Sequence, residues 1–260
     1  MPRPDQPAPT RRRFTFTNAQ GLSLDGALEE PAGGVRGTAL FAHCFTCGKD
    51  VIAASRIARA LAGHGFAVLR FDFTGLGNSD GDFANTDFSS NVDDLAAAAD
   101  ALREDGRAPV LLVGHSLGGA AVLAAAHRIP EARGVVTIGA PAEPDHVLQL
   151  LEGAVDRIEQ EGRAEVNLAG RRFTISRGFL EDLERHSLAA RIEALDRALV
   201  VMHSPQDLIV GIGNAERIFK AARHPKSFVS LDPADHLLTD RADAAFVAAL
   251  IAAWGERLLE

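Results

Sequence analysis

The sequence predicts an α/β fold, with a mostly parallel central sheet, helices on both faces and a small insertion over one end. Three observations predict it. Short apolar runs bounded by turn residues recur from residue 38 onward, helical patterns fall between them, and a Gly-x-Ser-x-Gly turn sits where one run gives way to a helix. Apolar runs without alternation belong to strands buried on both faces, as in a parallel sheet. Steady strand–helix–strand succession implies right-handed crossovers.

Composition agrees with this class. A chain of 260 residues, 47% hydrophobic and 24% charged, can bury a sizeable core and is not disordered. With 27 Lys+Arg against 35 Asp+Glu the net charge is −8, and no basic run exceeds Arg11-Arg12-Arg13. Nucleic acid is therefore excluded as the main partner. Gly, Asp or Arg interrupts every apolar stretch before the roughly 20 residues a bilayer requires, so no membrane partner is expected. Residues 1–10 lack the apolar region of a secretory signal. Two cysteines cannot staple a secreted scaffold, so reduced thiols and a cytoplasmic location are expected.

In chain order, residues 1–12 carry four prolines and no periodicity, and read as a mobile arm. The domain then fills 13–260. Phe14-Thr15-Phe16-Thr17 and Leu22-Ser23-Leu24-Asp25-Gly26-Ala27-Leu28 alternate about a turn at 18–21, an antiparallel hairpin. Buried strands follow at Thr38-Ala39-Leu40-Phe41-Ala42, Ala67-Val68-Leu69-Arg70-Phe71, Val110-Leu111-Leu112-Val113 and Gly134-Val135-Val136-Thr137-Ile138. Helical patterns cover 52–64, 88–102 and 117–128. After Pro141 the rhythm breaks. Residues 142–193 read as an inserted cap, with a helix over 145–161, a hairpin across 164–175 and a helix over 178–192. Val147, Leu148, Leu150, Leu151, Phe173 and Phe179 are its candidate pocket lining. The rhythm resumes with a strand at 198–203, a helix near 214–222, a strand at 227–231 and a last helix over 241–259.

The chemistry starts at Gly114-His115-Ser116-Leu117-Gly118-Gly119. A serine on so sharp a strand-to-helix turn is strained and exposed at the carboxyl end of the strands, and the flanking glycines leave room for the bend. The bare pattern also fits a Gly-rich turn with a bland serine, but its strand and helix context favours a nucleophile. A serine hydroxyl needs a base, and the base an orienting acid. Asp207, in Ser204-Pro205-Gln206-Asp207, and His236, in Asp232-Pro233-Ala234-Asp235-His236, follow two successive strands and satisfy the order Ser, Asp, His. Asp232 is the alternative acid, and Asp235 is too near His236 to turn back on it. His115 and His203 read as structural support, and His64, His127, His186 and His224 as surface residues. An oxyanion requires two N–H donors. Leu117 is expected to give one and Phe45, in the loop His43-Cys44-Phe45-Thr46-Cys47-Gly48-Lys49-Asp50, the other. Cys44 and Cys47 form a C-x-x-C. It reads foremost as two small apolar loop residues, with a disulfide or half a metal site as alternatives.

Together these residues resemble an α/β-hydrolase. The His43–Asp50 loop, the run Arg70-Phe71-Asp72-Phe73-Thr74-Gly75-Leu76-Gly77-Asn78-Ser79-Asp80-Gly81, and Asp235-His236-Leu237-Leu238 resemble the hydrolase half of bifunctional α/β-hydrolase/OsmC-family proteins. More distantly, they resemble cinnamoyl-type esterases. Where those relatives carry His-Gly, this chain has His43-Cys44. No OsmC-like half follows the last helix, so a stand-alone protein or an excised domain is expected. The resemblance implies a structural role for Asp72, and a serine rather than the aspartate nucleophile of dehalogenases. The sequence reads as a serine carboxylesterase with a small-molecule ester as substrate and neither metal nor organic cofactor, and a small cap with few aromatics suggests short- to medium-acyl groups. The alternative is a non-hydrolytic, or a thioester- or peroxide-linked, partner of an OsmC-like thiol peroxidase in cis or in trans.

Overall fold

Where apolar residues alternate, a strand has one wet face; where they do not, it is covered on both. The computed structural model describes residues 8–151, 153–168 and 170–259. β1 (Thr10–Thr17) alternates and buries Phe14 and Phe16 between exposed neighbours. It pairs antiparallel with β2 (Ser23–Glu30), Phe16 opposite Leu24. Of the arm expected at 1–12, residues 1–7 lie outside the described residues. Thr10, Arg11 and Arg12 already belong to β1, held by its ladder to β2. There Arg11 meets Asp50 and Arg12 meets Asp105, each at 2.6 Å.

β3 (Gly37–Ala42), β4 (Phe66–Phe71), β5 (Leu111–His115) and β6 (Gly134–Ile138) are almost wholly buried and mutually parallel. Between them lie α1 (Ile52–Gly63), α2 (Phe88–Glu104) and α3 (Leu117–Ala125). α2 begins where it does because Asp87 and Ser90 cap each other's backbone N–H reciprocally.

The segment after β6 differs from the two long helices expected there. A 3₁₀ stretch, Pro144–Leu151, precedes α4 (Val155–Glu161), with Gly153 at φ +79° between them. That left-handed conformation stops a continuous helix; the expected helix also crosses residue 152, which lies outside the described residues. β7 (Arg163–Leu168) and β8 (Arg171–Ser176) form the expected small hairpin. Then α5 (Arg177–Arg185) ends, and α6 (Leu188–Glu193) starts in a new direction. The break has partners: His186 meets Ser89 Oγ at 2.8 Å, and the Glu143 carboxylate accepts the N–H groups of Leu188 and Ala189.

β9 (Ala198–His203), α7 (Gly213–Ala221), β10 (Lys226–Ser230) and α8 (Arg241–Glu256) complete the chain. The eight-stranded sheet runs β1-β2-β4-β3-β5-β6-β9-β10. β2 is antiparallel to β4, and β3 to β10 of this sheet are parallel. α1 and α8 cover one face over Phe41, Val113, Val136 and Met202. On the other face Leu40, Leu112 and Leu199 share a core with Phe88, Leu95 and Ile218 from α2 and α7. Chain direction across the sheet reverses between β3 and β5, and the crevice at such a switch point is where open α/β sheets bind ligands.

Candidate active site

Ser116 occupies the turn between β5 and α3 with φ 56° and ψ −129°. A non-glycine residue at positive φ costs about 1–3 kcal/mol and persists only when its surroundings enforce it. Here Ser116 N–H donates to Ile138 O at 2.9 Å and Gly119 N–H to Ser116 O at 2.8 Å. The glycines are needed for space. A Cβ on Gly114 would lie 2.2 Å from Gly118 O, and one on Gly118 would lie 2.4 Å from the carbonyls of Ala42 and His43. Larger residues would push α3 off the strand ends and carry Ser116 with it.

The expected acid and base meet the serine. Asp207 follows β9, His236 follows β10, and both are buried. His236 Nδ1 lies 2.7 Å from Asp207 Oδ2, and His236 Nε2 lies 3.0 Å from Ser116 Oγ. A carboxylate at Nδ1 keeps the proton there, which leaves Nε2 free to accept from the serine hydroxyl. The other oxygen, Asp207 Oδ1, accepts the N–H groups of Ile209 and Val210 at 2.9 and 2.8 Å. Burial pushes the Asp207 carboxyl up, but the His236 bond and these N–H donors outweigh it and hold it below the ordinary carboxylate range. Asp232 is exposed, and the Asp235 carboxylate accepts instead from Thr239 N–H and Oγ1.

The neighbouring histidines brace the site. His115 Nε2 donates to the backbone carbonyl of His236 at 2.7 Å, and His203 Nε2 donates to Val210 O at 2.7 Å. Burial, then the nearby His236, brings the His115 imidazole down to about 4. The folded state thus holds His115 neutral where an unfolded chain would bind a proton. Stability therefore falls as pH drops from about 6.5 to about 4, by roughly 3 kcal/mol from this group alone. His115→Gln is expected to remove that part of the slope; urea unfolding at pH 4.5 and 7 reads it.

The loop after β3 corrects one expectation. Cys44 and Cys47 are neither the reduced thiols nor the independent apolar residues expected but a disulfide, with Cα atoms 5.3 Å apart. Cys47 N–H also bonds Cys44 O at 3.2 Å, and Thr46 takes φ +57°. The two cysteines are therefore the ends of one tight turn, with Phe45 and Thr46 as its centre. Leu117 is the first residue of α3, where N–H groups have no partner within the helix. The disulfide thus clamps the residue whose N–H was expected to act together with that of Leu117. Reduction, or Cys44→Ser with Cys47→Ser, is expected to lower kcat on p-nitrophenyl acetate about tenfold. That is a fraction of the 10²–10³ lost when one oxyanion donor is removed outright. Equal kcat with and without reductant would discard this role.

Beneath the loop lies a buried charge network in which Asp72 has the structural role expected of it, while its partners Lys49, Asp25, Arg70 and Glu29 carry no motif signal of their own. Lys49 Nζ meets Asp72 at 2.6 Å and Asp25 at 2.7 Å, and Lys49 N–H donates to Asp72 Oδ1 at 2.6 Å. Asp72 also accepts Asn78 N–H at 3.1 Å, tying the Gly75–Gly81 turn to the same point. Arg70 donates to Lys49 O and pairs with Glu29 at 2.8 Å. Burial works to lower the Lys49 ammonium, but the hydrogen bonds it donates to Asp25 and Asp72 overcome this and raise it. Gly139 was also missed. It adopts φ +53°, and a Cβ there would lie 3.1 Å from Asp207 Oδ2 and 3.3 Å from His236 Nδ1. Its signal was in plain view, a glycine directly after the strand Gly134–Ile138.

Residues of the 142–193 segment reach the loop through aromatic rings. Phe45 stacks on Phe179 of α5 at 5.6 Å and leans on Phe83 at 5.8 Å, and Phe83 meets Phe173 of β8 edge-on at 5.0 Å. Phe173 and Phe179 are buried, as are Val147 and Leu151, while Leu150 is exposed. Beside Phe45, Phe83 and Leu117 a cavity of about 10 Å³ remains, the room of a single water. Among the described residues no group of three or more His, Cys, Asp or Glu side chains could hold a metal ion. Among them, too, no helix is long and apolar enough to cross a membrane.

Comparison with known proteins agrees with this architecture. The esterase domain of a Rhodothermus marinus protein is 48% identical, over 96% of this chain and 100% of that one, at a TM-score of 0.79. Est1E of Butyrivibrio proteoclasticus, solved with ferulic acid, shares the fold at 17% identity and a TM-score of 0.76, over 93% of this chain and 97% of that one. The mitochondrial palmitoyl-protein thioesterase ABHD10 of Rattus norvegicus is 27% identical over 75% of this chain and 66% of its own length. The chain thus spans just under two thirds of that curated relative. The model of the Hydrolase_4 family, described as serine aminopeptidase, S33, matches residues 36–168. The chain belongs to that family and is an α/β-hydrolase of the serine-hydrolase type.

Proposed function

We propose that this chain is a serine carboxylesterase acting on short- to medium-acyl esters. The observation that carries the reading is the unbroken relay of Asp207, His236 and Ser116, at 2.7 and 3.0 Å, at the switch point of the sheet. Ser116 Oγ attacks the acyl carbon as His236 Nε2 takes its proton. Asp207 holds the ring in the tautomer that permits this and steadies the imidazolium that forms. The N–H groups of Leu117 and Phe45 receive the negative charge of the tetrahedral oxygen, aided by the N-terminus of α3. His236 then passes the proton to the departing alcohol. In the second half it draws a proton from water, which releases the acid and restores Ser116.

The rings of Phe83 and Phe179 packed on Phe45 support a short acyl group, and the 142–193 segment serves as the cap above it. A thioester reading has its own support in the similarity to a palmitoyl-protein thioesterase. The triad chemistry serves both, since only the leaving atom differs. Turnover of p-nitrophenyl acetate, butyrate and octanoate, set against the matching acyl thioesters of N-acetylcysteamine, decides between them. A higher kcat/KM for oxygen esters at equal acyl length supports the esterase. A consistent preference for thioesters, at every length, overturns it.

A further inference from the structure

Nine large apolar side chains stand exposed among the described residues, and six of them gather at one place. Leu208 (95% exposed), Ile209 and Ile212 lie on the loop that begins at Asp207, and Leu237 directly follows His236. Leu150 is on the 3₁₀ stretch whose His146 bonds Ile209 O at 2.9 Å. Ile52 opens α1, whose Arg56 bonds Thr239 O at 2.8 Å, just past Leu237. These two hydrogen bonds tie the segments in two pairs, and the 2.7 Å bond between His236 and Asp207 brings the two pairs together as one rim beside the acid and the base. Scattered exposed leucines are ordinary, but an exposed apolar patch continuous with a catalytic cleft marks a binding surface.

The rim has a side. His236 Nε2 is the atom that protonates the leaving group, so the departing alcohol lies toward His236 and Asp207, where the rim is. The acyl group lies toward Phe45 and Leu117, where the packed rings of Phe45, Phe83 and Phe179 fill the interior. We infer that the substrate is a short-acyl ester of a long apolar alcohol, whose chain lies across Leu208, Ile212, Leu150 and Leu237. The inference rests on the esterase reading and adds which half of the ester carries the bulk. The step balances as a hydrolysis. The acyl-carbon–alkoxy bond breaks as the Ser116 ester forms, the serine proton passes through His236 to the alkoxide, and water then returns the acid.

Two ester series test it, with acid release followed at constant pH. One lengthens the alcohol, as methyl, butyl, hexyl and octyl acetate; the other lengthens the acyl group, as methyl acetate, butyrate, hexanoate and octanoate. Full burial of a methylene is worth about fourfold in binding, and a chain half in water about twofold. The octyl-to-methyl ratio of kcat/KM among the acetates is therefore expected to rise on the order of tenfold or more. In Leu208→Ser with Leu150→Ser it is expected to fall several-fold. A ratio compares one protein with itself, so loss of folded material cancels. A flat ratio in the wild type, an unchanged ratio in the double variant, or a larger gain along the acyl series each overturns the proposal. If instead Ser116→Ala turns over every ester as fast as wild type, the esterase reading itself fails.

Discussion

Ser116→Ala is expected to lower kcat on p-nitrophenyl acetate by about 10⁴–10⁶-fold with little change in KM, because the variant removes the atom that bonds to the acyl carbon. The size follows from the geometry. The substitution leaves the β5–α3 turn, the Leu117 N–H and the Phe45 turn in place, so the residual rate measures what the proposed oxyanion donors contribute alone. Alanine has no hydroxyl to pass a proton, so His236 would lose its role as well. Further loss of His236 in the same chain is then expected to add almost nothing, since the relay acts as a unit. Variants with equal stability and independent, additive losses would contradict the relay. Stopped assays with quantified active protein separate the two cases.

The largest expected effect on stability comes from Lys49→Met. Lys49, Asp25 and Asp72 are all buried, so removing the cation takes from Asp72 its Lys49 partner and leaves Asp25 with Arg13, at 2.5 Å. Breaking a buried pair on one side costs about 3–5 kcal/mol, because the abandoned charge keeps its desolvation penalty. Arg11→Ala breaks the exposed pair with Asp50 and is expected to cost under about 1 kcal/mol. Urea titration of both variants at one pH gives the comparison directly. Lys49→Met is also expected to lower kcat, because Lys49 Nζ fixes the Asp72 carboxylate that accepts the Lys49 N–H at the end of the Cys44–Cys47 turn. Near-wild-type stability in Lys49→Met would mean that Arg13 and Asn78 already compensate Asp25 and Asp72.

Much of this protein is readable in one dimension because its central strands are short, apolar and uninterrupted. Thr38-Ala39-Leu40-Phe41-Ala42 must be covered on both faces, and that demand alone calls for helices before and after it. Gly114-His115-Ser116-Leu117-Gly118 is equally local: a strand, a bend and a helix leave one place for the serine. Asp207 and His236 are legible for a related reason, since in a parallel sheet every strand ends on the same edge, so a polar residue just past a strand faces the same crevice.

The segment 142–193 was harder to read. Apolar spacing predicts two long helices there, but Gly153 and the Glu143 carboxylate at Leu188 break them, and the second of these acts across 45 residues. Cys44 and Cys47 read as an inert pair because a C-x-x-C specifies no backbone; only the turn with Thr46 at positive φ brings the sulfurs together. Lys49 shows no periodicity or motif of its own, and its burial is decided by β2 and β4, which bring Asp25 and Asp72 to it. By itself the sequence determined the layered α/β sheet, the serine turn and the order of acid and base, all of which follow from local pattern and a shared strand direction. The tertiary structure alone decided the disulfide turn, the buried Lys49 network, the broken helices of 142–193 and the side of the cleft that is apolar. The disulfide turn is local, but a C-x-x-C does not specify its backbone; the others depend on which distant segments pack together, and no local pattern encodes that.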